Sequence, residues 1–184
     1  MIQFQSVEVM ASPRISRVLV EYLQENTLVV GAALTDHLFK PGLQELNGLT
    51  SPWNTLAVWD VSKLAHTNFL GISDGVVPGV QGGVEEVAAI TLRQALHPKT
   101  SMAKLILLPP QMGLIWDTAF VDEGREEYHQ RKMASKLSRA EAQLKALGLA
   151  SGVVRHLEYP LPDSKEVQDE GEEEEEKGAE KKEE

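Results

Sequence analysis

Residues 71–91, GISDGVVPGVQGGVEEVAAIT, join a glycine-rich loop to the start of an amphipathic helix. The apolar pattern that follows has helical spacing and ends at His97-Pro98, because the residue before a proline disfavours the helical backbone. The run AKLILL, residues 103–108, has the length and composition of a buried strand. A strand that follows such a helix predicts an α/β fold.

Shorter elements are predicted on the N-terminal side of this junction. Ser12 followed by Pro13 is typical of a helix start, with the serine as N-cap. The apolar run TLVVGAAL, residues 27–34, predicts a buried strand, and PGLQELNGL, residues 41–49, predicts a short helix. Residues 55–59 are expected to be extended.

Capping residues mark two further helices. Asp60 is placed to cap a short helix, VSKLAHT. Asp122 and Gly148 bracket the longest helical pattern, residues 122–148, as its N-cap and its C-terminal glycine cap. We expect this helix to pack through an apolar seam made of Met133, Leu137, Ala140, Leu144 and Leu147.

The charge distribution separates a folding part of the chain from a tail. Residues 161–184 carry 12 acids and 4 bases, a net charge of -8, whereas residues 1–160 carry 16 acids and 14 bases, a net charge of -2. So acidic a segment cannot bury enough apolar surface to fold. We therefore expect one three-layer α/β domain over residues 1–160, in which helices flank a short mixed sheet, followed by a disordered acidic C-terminal tail.

Composition also limits the classes of function. The near-neutral charge of residues 1–160 gives no support for a general nucleic-acid surface, and the acidic tail repels phosphate backbones. The absence of cysteine excludes disulfides, thiolate nucleophiles and cysteine-ligated zinc. The sequence has neither an apolar run of about 18 residues nor a signal-peptide pattern, which predicts a cytoplasmic protein without a transmembrane segment.

Two adjacent carboxylates, Glu85 and Glu86, fall in the first turn of the helix after the glycine loop, and Asp74 lies within the loop. Acids at a helix N-terminus can be purely structural, because the exposed amides and the helix dipole stabilise negative charge. A glutamate there can equally act as a general base, or as a ligand for a metal or a hydroxyl group, with Asp74 as a further substrate contact. The loop has neither a Walker lysine nor GxGxxG spacing, which argues against a nucleotide P-loop.

A basic stripe runs along the predicted helix at residues 122–148 and consists of Arg125, His129, Lys132 and Lys136. A bound diphosphate would meet three cations there, or the imidazole of His129 would take a divalent metal, Mn²⁺ or Mg²⁺. Glutamates lie nearby on the same helix, so the stripe can also be explained by helix ion pairs alone.

Trp53 and Asn54 precede the extended segment and are candidate substrate-binding residues. The indole of Trp53 offers a flat apolar face on which a sugar ring or a base can stack. The alternative interpretation is that this tryptophan belongs to the core.

The order of several segments resembles a known enzyme family. SPWNTLAVWDVSKLAHTNFL, at residues 51–70, is followed by SDG, by GGVEEVAAI and by the basic RxxxHxxKM helix. This order resembles the acceptor-side half of inverting, family-two-like glycosyltransferases with the nucleotide-sugar-binding fold. The resemblance implies that Glu86 is the base that deprotonates the acceptor hydroxyl, with Glu85 as its partner. It also implies that the basic helix, with His129, assists the departing nucleoside diphosphate.

Two hypotheses from different classes follow. The first is a glycosyltransferase-like enzyme that transfers a sugar from a nucleotide sugar to a hydroxyl acceptor. The DxD metal motif of that family's donor-binding half occurs nowhere in the sequence, so the chain is either incomplete or degenerate, or a partner supplies the donor site. The second is a non-catalytic α/β interaction module whose acidic tail binds basic protein partners.

Overall fold

The computed structural model describes residues 1–119 and 122–160, so the predicted disordered tail at residues 161–184 lies outside the described residues. Within the described ranges the strands are β1 (Ile2–Gln5), β2 (Val9–Met10), β3 (Thr27–Ala32), β4 (Gly42–Glu45), β5 (Leu56–Trp59), β6 (Met102–Leu107), β7 (Ile115–Trp116) and β8 (Val153–Glu158). The helices are α1 (Pro13–Glu21), α2 (Val61–Leu64), α3 (Glu85–Leu96), α4 (Glu123–Ala134) and α5 (Lys136–Leu147). In this part of the chain no helix combines the length and the apolar composition needed to cross a lipid bilayer.

The main sheet has six strands in the order β1-β5-β3-β6-β8-β4. Strands β3, β6 and β8 are parallel, whereas β5 runs antiparallel to β3 and β1, and β4 runs antiparallel to β8. Strands β2 and β7 form a separate antiparallel ribbon. This mixed sheet, with its helices, confirms the predicted α/β fold class.

Helices cover both faces of the sheet, which makes three layers. Successive side chains of a strand point to opposite faces, and every residue of β3 is buried. On one face, Leu19 of α1 lies in the same apolar cluster as Val30. On the other face, Ile90 of α3 and Leu144 of α5 cluster with Val29.

Several predicted boundaries are confirmed by their capping geometry. Asp60 accepts a hydrogen bond from the backbone N–H of Lys63 at 3.2 Å and begins α2. Asp122 accepts from the backbone N–H of Gly124 at 2.8 Å and begins α4. Gly148 has φ +66°, the left-handed conformation that commonly ends a helix, and follows α5.

The prediction of a short helix at residues 41–49 is wrong, because this segment contains the edge strand β4. Gly42 and His156 are partners in an antiparallel ladder between β4 and β8. Gly42 has φ +102°, which is incompatible with a helix. After the strand, the side-chain carbonyl of Asn47 accepts from the backbone N–H groups of Leu49 and Thr50, so an Asx turn forms there. Pairing with the sheet has overridden the local helical pattern.

The predicted helix at residues 122–148 is broken at Ser135 into α4 and α5. The Ser135 hydroxyl donates to the backbone carbonyls of Arg131 and Lys132, at 2.9 and 3.1 Å, and serines that bond back in this way bend helices. The predicted apolar seam is also partly wrong, since Leu137 and Leu147 remain 36% and 37% exposed. The residues that α5 buries are Lys136, Arg139, Ala140, Gln143 and Leu144.

Candidate active site

A cleft lies at the edge of the sheet where the parallel strand β3 ends. The register pairs Gly31, near the end of β3, with Ala57, so Asn54 and Thr55 lie beyond that end. Ser6, which follows β1, donates its backbone N–H to the Thr55 carbonyl at 2.8 Å and therefore lies at the same edge. Ligands of open α/β sheets bind in the crevice beyond the carboxyl ends of the strands. The fold thus places these residues where a binding site is expected.

Asn54 holds both glutamates at the start of α3. Its backbone N–H donates to Glu86 Oε1 at 2.5 Å, and its side-chain amide donates to Glu85 Oε1 at 3.0 Å. The amide is itself fixed, because Trp59 Nε1 donates to Asn54 Oδ1 at 2.8 Å. The preceding residue, Val84, has φ 53°, a left-handed conformation that is a genuine outlier for a β-branched residue. The hydrogen bonds from Asn54 and the backbone conformation at Val84 therefore hold the two carboxylates in place.

Glu86 is a buried acid beside a buried base. Burial and the negative charge of Glu85 raise the pKa of Glu86 to about 7, although the Asn54 N–H and the Lys136 charge oppose the rise. Burial lowers the pKa of Lys136 to about 7 against the opposing effect of Glu86. Both groups therefore change protonation near neutral pH, which is the property required of a general acid or base.

Two adjoining cavities contain these groups. The first, which we name the Glu86 cavity, has a volume of about 240 Å³. It is lined by Ser6, Asn54, Thr55, Gly83, Val84, Glu85, Glu86, Lys132, Lys136 and Arg139. The second, the His129 cavity, has about 100 Å³ and is lined by Ser6, Glu8, Thr55, Trp116, His129, Lys132, Met133 and Lys136. Four residues are common to both, so the cavities are neighbouring halves of one cleft with the two lysines between them.

Trp53 lies beneath the cleft and holds Lys136. The Lys136 ammonium lies 3.1 Å from the centroid of the Trp53 ring, which places the cation over the aromatic face. The His37 ring stacks on the same indole with the ring centroids 3.6 Å apart, and Trp53 Nε1 donates to the Gly48 carbonyl at 2.8 Å. Trp53 is only 1% exposed, and its ring contacts the Lys136 ammonium and His37. We therefore infer that Trp53 influences the cleft by positioning Lys136.

His129 lies in the second half of the cleft. Its ring packs edge-on against Trp116 at 5.5 Å between centroids, and its Nε2 lies 4.0 Å from Asp36 Oδ2. Glu8 lines the same cavity, where the Ser6 hydroxyl bonded to it holds the pKa of that carboxyl below its usual range. Among the residues that the structure describes, no group of three or more histidine, aspartate or glutamate side chains is arranged to hold a metal ion.

The remaining candidates lie outside the cleft. Arg125 lines a third cavity of about 310 Å³, together with Val7, Glu8 and Asp117. Asp74 is exposed in a short 3-10 turn, Gly71–Asp74, and lines neither half of the cleft. The structure therefore brings together Glu85, Glu86, Asn54, Lys132 and Lys136, with His129 next to them.

Two polar residues of α5 were not predicted from the sequence: Arg139, which lines the Glu86 cavity, and Gln143, which is buried behind it. Arg139 Nη1 donates to the Gly82 carbonyl at 3.0 Å, and Gln143 Nε2 donates to the carbonyls of Gln81 and Gly83 at 2.9 and 2.7 Å. These bonds hold the end of the glycine loop against α5. The signal was present, because Lys136, Arg139 and Gln143 recur at helical spacing along a polar face beside the predicted apolar seam.

Comparison with known proteins does not assign a function to this cleft. No protein family, curated protein or solved structure matches the chain. The chemistry of the cleft is therefore the ground on which a function is proposed.

Proposed function

We propose that the protein is a glycosyltransferase-like enzyme, in which Glu86 deprotonates a hydroxyl acceptor that attacks a nucleotide-sugar donor. The observation that carries the proposal is the position of Glu86. Its carboxyl is buried, has a pKa raised to about 7, and shares a cavity with two lysines. A base poised near neutral pH beside two lysine side chains suits a reaction that removes a proton and develops negative charge on a leaving group.

Glu86 has the role of general base. Its Oε1 accepts the Asn54 backbone N–H, and the residue lines the Glu86 cavity, where the acceptor hydroxyl would bind. Near pH 7 about half of such carboxyls are ionised, so a proton can be accepted without a large free-energy cost. Glu85, anchored by the Asn54 side chain, raises the proton affinity of Glu86 through its charge.

Lys132 and Lys136 have the role of binding the donor diphosphate. Both line the two halves of the cleft, so a group between the halves meets both cations. Charge-assisted hydrogen bonds from ammonium groups to phosphate oxygens are about twice as strong as neutral ones. His129 borders the same region and adds an imidazole next to the lysines.

The expected divalent cation fits this site only with help from the substrate. Glu8 and His129 line one cavity, and Mg²⁺ commonly takes one or two protein ligands together with substrate phosphates and water. Such a cation would supply further positive charge at the diphosphate. The steps assigned to Glu86 and the lysines do not depend on it.

The reaction balances with these groups alone. The acceptor O–H bond breaks as its proton passes to the Glu86 carboxylate, and the acceptor oxygen forms a bond to the anomeric carbon of the donor. The bond from that carbon to the diphosphate oxygen breaks, and the electron pair leaves with the nucleoside diphosphate. Lys132 and Lys136 are placed to stabilise the charge that develops on it.

The test is turnover of a panel of nucleotide sugars by the full chain, with Mn²⁺, with Mg²⁺ and with neither, following release of nucleoside diphosphate. We expect Glu86→Gln to lower kcat by a factor on the order of 10²–10⁴, the range typical for loss of a general base. Glu141→Gln, which changes an exposed glutamate of α5, is the matched control and should retain full activity. If the wild-type chain neither turns over nor binds any nucleotide sugar by calorimetry, the proposal is wrong.

A further inference from the structure

A larger cavity of about 470 Å³ adjoins the cleft on the side of the glycine loop. We name it the Arg131 pocket. It is lined by Gln81, Gly82, Tyr128, Arg131, Lys132, Ser135 and Arg139. Lys132 and Arg139 also line the Glu86 cavity. Arg131 and Tyr128 line the Arg131 pocket but not the Glu86 cavity. Its lining includes three cations and no carboxylate, in a chain whose formal net charge is -10.

The pocket is formed by one face of α4 and α5 against the glycine loop. Positions 128, 131, 132 and 135 follow the i, i+3, i+4 and i+7 spacing of one face of α4 and its C-cap, and position 139 lies in the first turn of α5. This face carries a phenol, a hydroxyl and three cationic groups opposite the backbone of Gly82. Tyr128, Arg131 and Lys132 are exposed, as polar residues of a helix surface usually are, whereas Arg139 is a cation buried at the same pocket.

Arg139 gives the pocket a rigid wall. Its Nε, Nη1 and Nη2 donate to the carbonyls of Ser135, Gly82 and Lys132, at 3.3, 3.0 and 2.7 Å. These bonds use three of the five guanidinium N–H groups, and the side chain is only 8% exposed. A guanidinium fixed in this way has already lost the freedom that a ligand would otherwise have to restrict. Arg131 and Lys132 are exposed and can close on a ligand from the open side.

We propose that the Arg131 pocket binds a phosphate group, either free phosphate or the phosphate of a small phosphomonoester. Phosphate oxygens accept paired hydrogen bonds from the forked N–H groups of arginine, and two arginines with one lysine supply three positive charges around a group whose charge is about minus two. The pocket shares Lys132 with the proposed donor site, but Arg131 lines neither half of the cleft, so a test at Arg131 does not depend on the proposed glycosyl transfer. Arg131 and Tyr128 are thereby assigned to a site that lies beside the cleft.

Binding is tested on the full chain by two-dimensional ¹H–¹⁵N NMR, with inorganic phosphate and phenyl phosphate as separate probes. Sodium chloride keeps the ionic strength constant, which removes general screening effects. We expect saturable shifts of the Gly82 and Ser135 amides. The 12 acids of residues 161–184 are present in every sample, so any competition from them is the same throughout. Tighter binding of phenyl phosphate supports a phosphomonoester, and tighter binding of inorganic phosphate supports the free anion.

Arg131→Gln should weaken phosphate binding about tenfold, which corresponds to about 1.4 kcal/mol. Arg155→Gln removes the same charge from an exposed position on β8 and should leave binding unchanged. Arg131 is exposed, so its substitution should not disturb the fold, which the wild-type dispersion of the remaining amides would verify. Shifts that do not saturate, or an equal affinity in the two variants, would overturn the assignment.

Discussion

The ammonium group of Lys136 lies 3.1 Å from the centroid of the Trp53 indole ring, and both residues are buried next to the Glu86 cavity. The aromatic face stabilises the lysine as a cation, while burial lowers its pKa to about 7. The charge of Lys136 in turn lowers the pKa of Glu86, so the proton affinities of the two groups depend on each other.

Lys136→Met should raise the pKa of Glu86 above its present value near 7. Methionine keeps an unbranched stem over Trp53 but removes the charge that stabilises the carboxylate. The measurement is a ¹³C NMR titration of the Glu86 side-chain carboxyl. Lys145→Met, on an exposed position of the same helix, is the control and should leave the titration unchanged. An unaltered Glu86 midpoint in Lys136→Met would show that the two groups are not coupled.

Glu86→Gln should change how stability depends on pH. The folded-state pKa is raised from 4.5 to about 7, so between these values the folded protein binds more protons at this site than the unfolded chain. The wild type therefore loses stability as pH rises through this window, and the variant lacks that loss. The free energy of unfolding of the variant relative to wild type should increase from pH 4.5 to pH 8 by about 1–3 kcal/mol. Urea unfolding at both pH values measures it, and a difference independent of pH would contradict it.

His37 should make the protein sensitive to acid. Burial lowers its pKa from 6.5 to about 3, and the ring accepts from the Leu34 N–H through Nδ1 while its Nε2 lies 3.0 Å from the Ser51 carbonyl. The unfolded chain binds a proton here below pH 6.5 and the folded protein does not, so this contribution to stability is present above pH 6.5 and is lost as pH falls towards 3.

In urea unfolding, His37→Gln should therefore show a smaller loss of stability between pH 7 and pH 4 than the wild type. The variant is also expected to be less stable at pH 7, because glutamine cannot stack on Trp53 as the imidazole does. His66→Gln is the control, since His66 is exposed, and its pH dependence should match the wild type. The same loss in all three proteins would remove His37 from the explanation.

Local signals in the sequence predict the parts of this fold that local chemistry determines. Asp60, Asp122 and Gly148 bound helices because a side-chain acceptor or a left-handed glycine satisfies the backbone there, and each lies where the pattern places it. The start of α3 at Glu85 also lies where the sequence places it, with two acids in the first turn, although Val84 offers no side-chain cap. The edge strand β1, with the sequence IQFQ, was not predicted, although its apolar–polar alternation is the signal of a half-buried strand, because four residues are the shortest length at which that pattern counts.

The candidate site was predicted only in part, since it depends on contacts between distant segments. The sequence singled out Glu86 and Lys136, which lie 50 positions apart, but no local pattern indicates that Asn54 bonds to both glutamates. The seam of the long helix was misplaced because its buried face packs against backbone carbonyls of the glycine loop. Arg139 and Gln143 are buried there as hydrogen-bond donors, so hydrophobicity does not report their burial.

Gly83→Ala should disturb this contact and thereby the site. Gly83 has φ +88°, and an added Cβ would overlap Nη1 of Arg139, the atom that donates to the Gly82 carbonyl. Gly79→Ala is a matched control, because Gly79 has φ +78° with no atom near the position of a Cβ, so it carries the backbone strain without the overlap. We expect Gly83→Ala to lower the free energy of unfolding by about 1–2 kcal/mol more than Gly79→Ala, which is the size of one or two net hydrogen bonds. Urea unfolding of the two variants measures the difference. Equal destabilisation would show that the bond from Arg139 to the loop contributes nothing to holding the start of α3.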